Sequence, residues 1–495
     1  MRILRLLLWG TIVILCAELA VVIWVELSGY LDADALIYFA VGRGILNHLV
    51  PYRDLFETKP PGIFLLAALS LKFGGVLLGK IVQVLALLCI PLCIVLPARS
   101  ILHNRNEEIR ALLLHASAAI GLLLTLFTAL FSGGFQVESM GAAATCCYVA
   151  LVATKRDGWG WQRTLLGGLT IFIAVFLKEP FILTALACAL ILARSTRALV
   201  SVFLLPAIVA GTIDGATLLL LGYLGPYLFY LQFMVEHHTN LYNGPLLLRA
   251  LYLGRFAANA WLFSPLLPFL LALLIGTAAW RAWGERRSRI LCIVAAVYLL
   301  FLAVAMGGDF YIHHFVFAVP GYAALLLALL AGEMHETKLS RPITVLLLMT
   351  IAVSLWHVRE NPARKIREWA AWDGTLRTAA ETIDTAMDRC GIDRYLYLVT
   401  KGGGPFGYTR HSPIGPVFIN HNRFVMQDHS PLTGVFAEEI KHADLIVLER
   451  EDETGMTRKG LEYLQTHFTD LPPVCAGDIH DSLPYHLLFR LAEQT

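Results

Sequence analysis

The stretch SGYLDADALIYFAVGRGILNHLVPYRDLFETKPPG, residues 28–62, sets two acids, Asp32 and Asp34, directly after an apolar run, places aromatic residues behind them, and closes on Lys59-Pro60-Pro61. In a chain otherwise suited to lipid, charges there lie at a membrane surface, where they are solvated, paired or used. Whether this stretch and its continuation to residue 78 form one outer loop decides the path of everything downstream.

The composition sets that context. Hydrophobic residues make up 57% of the chain and charged residues 15%, more apolar than a soluble core requires, and runs near the ~20-residue spanning length recur through residue 357. The expected class is a polytopic α-helical membrane protein. A net charge of +2, with basic residues spread among loops, gives no nucleic-acid patch. Arg2 and Arg5 before an apolar run imitate a signal peptide, but the run is too long and lacks a small-residue exit. Leu15 before Cys16 is a poor lipoprotein junction. The expectation is an uncleaved first helix with its N-terminus inside.

Five basic clusters test the topology: Arg99/Arg105/Arg110, Lys155/Arg156/Arg163, Arg194/Arg197, Arg281/Arg286/Arg287/Arg289 and Lys338/Arg341. The positive-inside rule puts each on the cytoplasmic side. That requires residues 62–73 to be interfacial or re-entrant, since a dozen residues before Gly74-Gly75 are too few to span. It also requires 164–193 to be two short helices broken at Lys178-Glu179-Pro180. The expected spans are 6–27, 79–97, 111–131, 137–154, 164–177, 181–193, 198–221, 257–279, 290–306, 315–332 and 342–357, eleven helices with an outward C-terminus. Residues 28–78, 132–138, Lys178-Glu179, 222–256 and 307–314 then share the outer face, and a site assembled there is the economical expectation.

From residue 358 the composition turns charged. A helix is expected at 373–389, buried strands at 394–400 and 442–450, and a helix at 455–467. Gly402-Gly403-Gly404-Pro405 reads as a flexible turn rather than a phosphate cradle. The chain is thus read as a membrane domain over 1–357 and a small extracytoplasmic α/β domain over 358–495. Of nine cysteines, seven fall in membrane spans and read as small apolar fillers. Cys390 and Cys475 fall in the soluble part, where a disulfide is permitted if the compartment is oxidising.

Acids and cations at headgroup height suit a lipid-linked phosphate, whose charge lies at the surface while its chain stays in the bilayer. Transfer of a sugar from such a phosphate needs a carboxylate for the acceptor proton and cations for the phosphate. Spacing alone also allows a solvated helix end at Asp32 and Asp34, a snorkelling Lys59, and prolines that merely start a helix.

The run Asp34 to Gly62, with Tyr38, Pro51-Tyr52-Arg53-Asp54 and Lys59-Pro60-Pro61-Gly62, resembles the first outer loop of polyprenyl-phosphate-sugar-dependent glycosyltransferases of the C-type membrane fold. It is most similar to the RgtA/B/C/D-like group, with the lipid A aminoarabinose transferase and protein O-mannosyltransferases more distant. The group's pattern is approximately D-E-x-x-Y, P-Y-x-D, K-P-P. Glu138, Lys178 and Tyr311-Ile312-His313-His314-Phe315 leading to Pro320 add to the likeness, which extends to about residue 335.

The resemblance implies an inverting glycosyltransferase of the bacterial cytoplasmic membrane with a periplasmic or extracellular site. Its donor is a polyprenyl-phosphate monosaccharide, hexosyl or pentosyl, and its acceptor a hydroxyl of a glycolipid, polysaccharide or protein. Asp34 takes the place of the catalytic base, with Asp32 as the second candidate, and Glu138 that of a further acid. Lys59 and Lys80 take the donor-phosphate positions. Tyr38, Tyr52, Asp54, Lys178, His313 and His314 are substrate-binding candidates. Ala35 stands where the group often has a second acid, His48 where it often has glycine, and Thr58 where the aminoarabinose branch has a metal-binding glutamate. No metal ligand or cofactor is therefore assigned, and a divalent metal is left open. His237-His238 and His313-His314 are read as loop contacts, because adjacent residues on a helix point about 100° apart. A transporter or flippase of lipid-linked sugars is the alternative, and would show internal symmetry and mid-membrane charge; no repeat is visible and Asp214 is the main mid-span charge.

Overall fold

The computed structural model describes residues 2–28, 31–155, 158–238, 287–306, 312–332, 362–392, 395–398, 405–411, 440–449, 464–470 and 485–490, with isolated positions at 276, 348–349 and 351–352. Apart from those isolated positions, the expected spans 257–279 and 342–357 lie outside them, as do Tyr311 and the triple glycine at 402–404. The chain divides into two compact units. The first comprises Met1–Gly29, Lys80–Leu218 and His238–Arg367, and the second Tyr30–Gly79, Leu219–His237 and Glu368–Thr495.

The helices of the membrane region are α1 (Arg2–Leu27), α2 (Ala33–Leu46), α3 (Pro61–Phe73), α4 (Gly75–Ile101), α5 (Glu107–Phe131), α6 (Val137–Thr154), α7 (Trp161–Leu177) and α8 (Phe181–Leu192). They continue with α9 (Thr196–Leu220), which contains a π turn at Val200–Leu204, then α10 (Leu224–Phe233), α11 (Arg287–Met306) and α12 (Val319–Gly332), the last entered by a 3-10 turn, Ile312–Ala318. Among the described residues six helices are long and apolar enough to cross a membrane: α1, α4, α5, α6, α9 and His313–Gly332. Shorter apolar helices cover Trp161–Leu177, Phe181–Leu192 and Ile290–Met306.

In the first unit α5 and α6 supply the interior, with nearly continuous burial from Ala116 to Leu130 and from Val137 to Thr145. Helix α1 keeps Trp9, Val13, Val21 and Trp24 exposed on the side away from its buried Leu8, Leu15, Val22 and Val25, as expected of a helix with one side to lipid. The break between α7 and α8 arises locally. Lys178 is extended, Glu179 precedes a proline and so disfavours helix, and Pro180 starts the next one. The thiols of Cys89, Cys93 and Cys147 pack at 3.4–3.6 Å from one another, the contact distance of unbonded sulfurs.

In the second unit, the segment expected to be interfacial is α3. Its 13 residues reach about 20 Å at ~1.5 Å per residue, short of a ~30 Å hydrocarbon core. Pro61 occupies its first turn, where no amide hydrogen is needed, and Gly75, with φ of 66°, lies just past its end. Helices α2 and α3 cross where Gly42 leaves room for the Ala67–Ala68 backbone, since a Cβ there would stand 2.7 Å from the Ala68 nitrogen.

The same unit holds α13 (Pro362–Cys390, its first residues in the other unit) and strands β1 (Tyr395–Leu398), β2 (Leu445–Glu449), β3 (Phe468–Asp470) and β4 (Tyr485–Arg490) in sheet order β1-β2-β4-β3. β1 and β2 run parallel, and β4 is antiparallel to both β2 and β3. The two expected strands are β1 and β2; β3 and β4 had no sequence signal. The expected helix at 373–389 starts earlier, because Arg364, Arg367 and their neighbours continue it instead of bounding it. Of the expected helix at 455–467, residues 464–467 are described and helical. Cys390 is disulfide-bonded; Cys475, with which the sequence left a pairing open, lies outside the described residues.

Candidate active-site residues

In the second unit Asp32 and Asp34 have different tasks from neighbouring positions. Asp32 caps α2, its Oδ1 accepting the Ala35 amide hydrogen at 2.8 Å, the standard use of an acid at a helix start. Asp34, in the first turn, directs Oδ2 toward the Lys59 ammonium at 3.7 Å and accepts from the Tyr38 hydroxyl at 3.4 Å. Tyr38 is buried, one helical turn along, while the Asp34 and Lys59 side chains are 26% and 14% exposed. The pair is thus reachable yet partly desolvated, where a charge interacts more strongly than in water.

Lys59 is positioned by its loop. The Tyr52 hydroxyl donates to the Lys59 carbonyl at 2.6 Å, and the Tyr52 ring stacks on Tyr230 at 4.8 Å. Tyr52 has a φ of 66°, an uncommon conformation for a bulky residue, which persists where surrounding contacts determine it. Asp54 closes the same turn: it accepts the Val50 amide hydrogen at 2.8 Å and a two-pronged contact from Arg53. Those Arg53 hydrogen bonds hold its carboxyl below the usual range. Both carboxylate oxygens are therefore engaged within the loop. His48 has a φ of 66°, which explains why glycine suits its position in the resembling group.

Glu57 was not singled out by the sequence. Its side chain is buried beside Thr58, which donates to Oε1 at 3.0 Å. Burial pushes the Glu57 carboxyl above its usual range, Lys59 pulls it back, and Asp34 pushes it up again. Two acids and one ammonium therefore interact around Lys59, although Ala35 removes the acid expected after Asp34. The available signal was an acid two residues before the lysine in a loop otherwise apolar at Leu55 and Phe56.

The other candidates lie in the first unit. Glu138, fully buried in the first turn of α6, has Lys178 Nζ at 3.2 Å from Oε1 and His313 Nε2 at 4.0 Å. Gly141, one turn beyond Glu138, faces Phe181, one turn beyond Lys178, so closely that a Cβ has no room. That crossing of α6 and α8 brings acid and lysine together. Phe181 also packs edge-on against Phe317 at 4.8 Å, and the Thr184 hydroxyl donates to the Phe317 carbonyl at 3.1 Å, which fixes the turn bearing His313 and His314. Their rings meet at 4.4 Å and 82°. Ligand atoms of Glu138, His313 and His314 lie within 4.8 Å of one another. The three could hold a divalent cation, with the Lys178 ammonium competing for the same carboxylate.

Lys80 is fully buried and paired with the equally buried Glu26 at 3.2 Å. Glu26, a second residue the sequence did not single out, also accepts the Gly134 amide hydrogen at 3.1 and 3.2 Å. Gln83 donates to the Ser132 carbonyl at 2.9 Å. Lys80, through Glu26, thereby supports the loop that leads into Glu138.

No protein-family model matches the chain, and no curated protein matches it. Among solved structures it is similar to the oligosaccharyltransferase of Archaeoglobus fulgidus in the apo form, with 11% identity, a TM-score of 0.43, and coverage of 90% of this chain and 70% of that one. It is also similar to the same organism's AglB in complex with an inhibitory peptide and a dolichol-phosphate, with 11% identity, a TM-score of 0.45, and coverage of 92% and 72%.

Proposed function

We propose that the protein is an inverting membrane glycosyltransferase that moves a monosaccharide from a polyprenyl-phosphate donor to a hydroxyl of a glycolipid, polysaccharide or protein on the outer face of a bacterial cytoplasmic membrane. The observation that carries this reading is the Asp34–Lys59 pair at 3.7 Å, on a segment entered from a helix long and apolar enough to span. Asp34 takes the acceptor hydroxyl proton as the acceptor oxygen bonds to the sugar carbon. The bond from that carbon to the phosphate oxygen breaks with its electron pair, and Lys59 receives the charge of the departing lipid phosphate. A phosphate leaves without protonation, so no general acid is required.

In this reading Tyr38 orients Asp34, and Tyr52 and Asp54 hold the loop that presents Lys59. Asp32 serves as a cap. Glu138, Lys178, His313 and His314 form a substrate-binding set, and Lys80 acts through Glu26 on the loop before Glu138.

The test is transfer of radiolabelled sugar by purified wild type and Asp34→Asn, using a panel of polyprenyl-phosphate hexoses and pentoses with envelope extracts as acceptor. Transfer that falls at least 100-fold in the variant while donor binding persists supports the proposal, since general-base groups contribute about 10²–10⁴-fold. Undiminished transfer by Asp34→Asn removes Asp34 from the mechanism. Donor movement across vesicles without transfer favours a flippase.

A further inference from the structure

Apart from these residues, the hairpin of α4 and α5 holds a cleft of about 590 Å³ lined by Leu96, Arg99, Ser100, His103, Arg110 and Leu114. Its polar wall carries two guanidiniums, an imidazole and a hydroxyl, and no carboxylate. Arg110 is held there by donating from Nη1 to the His103 carbonyl at 3.3 Å. The neighbouring acids, Glu107 and Glu108, are exposed in the first turn of α5.

A second observation identifies the kind of ligand. Along α4 the exposed residues Ile81, Leu85, Leu92 and Leu96 recur at intervals of four, seven and four, one continuous stripe on a helix. Helix α4 is long and apolar enough to cross a membrane, so this stripe faces acyl chains. Its last member, Leu96, is also a wall of the cleft, and Arg99 and Ser100 follow within about one turn, ~5 Å further along the axis. An acyl chain against the stripe therefore delivers its headgroup to the cations.

We propose that the cleft binds the phosphate of an anionic phospholipid. A free phosphate ester would meet the same cations but would leave the stripe unused. Basic pockets between membrane helices are suited to such headgroups, and a guanidinium pair offers several donors to one phosphate.

The full-length protein in a neutral detergent is titrated with short-chain phosphatidylglycerol, short-chain phosphatidylcholine and glycerol 3-phosphate, with bound species read by native mass spectrometry. The expected result is one saturating phosphatidylglycerol adduct, favoured at least tenfold over phosphatidylcholine and undisturbed by equimolar glycerol 3-phosphate. Arg99→Gln/Arg110→Gln should weaken it at least tenfold, whereas Arg197→Gln, removing an exposed arginine elsewhere, should not. Equal binding by the double variant, or equal loss in Arg197→Gln, overturns the proposal. Displacement by glycerol 3-phosphate overturns the lipid assignment in favour of a soluble phosphate. If the double variant does not fold, Leu96→Trp fills the cleft mouth and keeps both arginines; undiminished phosphatidylglycerol binding there overturns the proposal.

Discussion

At the scale of single residues, the charges divide by burial. Glu26 and Lys80 are both fully buried, so removing one charge leaves the other uncompensated. Glu26→Gln should destabilise the protein by about 3–5 kcal/mol, read as lost thermal stability in detergent, and Glu26→Gln/Lys80→Met should recover part of it. Glu57 gives a pH-dependent case. Its folded pKa is raised above the unfolded value by burial, so its stability contribution is intact below the usual glutamate range and is lost as pH rises through the folded value. Glu57→Gln should therefore raise the melting temperature at pH 7 and make no difference near pH 4. An equal effect at both values would mean that the gain has another source.

At the scale of elements, close backbone approaches set the geometry. Helix α2 is tied within its unit to the short segment Pro405–Gly407. Arg43 donates to the carbonyls of Phe406 and Gly407 at 3.2 and 3.0 Å, and the Tyr408 hydroxyl accepts the Leu31 amide hydrogen at 3.1 Å. A Cβ at Gly407 would stand 2.5 Å from the Leu36 Cα. Gly407→Ala should thus cost about 1–3 kcal/mol, as overpacking does, and Ala at exposed Gly374, with open space around it, should not. His48→Gly addresses strain at the end of α2. Relief of roughly 1–2 kcal/mol for a left-handed residue exceeds the roughly 0.5–1 kcal/mol that glycine forfeits in chain entropy. A modest rise in thermal stability is expected; a fall would show that the His48 side chain contributes more than its backbone costs.

At the scale of the whole molecule, compactness does not follow chain order: residues 30–79, 219–237 and 368–495 form one unit. Truncation to residues 1–367 removes the carbonyl partners of Arg43 together with Tyr408, taking two hydrogen bonds from a half-buried guanidinium. The shortened chain should lose folded yield and transfer activity together. Retention of transfer by the 1–367 chain would show that α2 and its acids hold without the C-terminal residues.

The sequence by itself determined the membrane class and two of the breaks between helices, after α3 and between α7 and α8. These depend on local chemistry: apolar length, the glycine pair after α3, and the proline after Lys178-Glu179. Asp34 and Lys59 were marked by the resemblance of their loop to a known family, since spacing alone left a helix end and a snorkelling lysine equally open. What it did not contain was pairing across distance. Glu26 reads as the end of a membrane helix until it meets Lys80 and the Gly134 amide, and Glu57 reads as a loop acid until burial sets it beside Lys59. Strands β3 and β4 gain identity only from their partners, since a strand of three to six residues has too little periodicity to identify alone. Tertiary structure decided these features because burial and pairing belong to neighbours distant in the chain, whereas caps, prolines and apolar length act through neighbours in sequence.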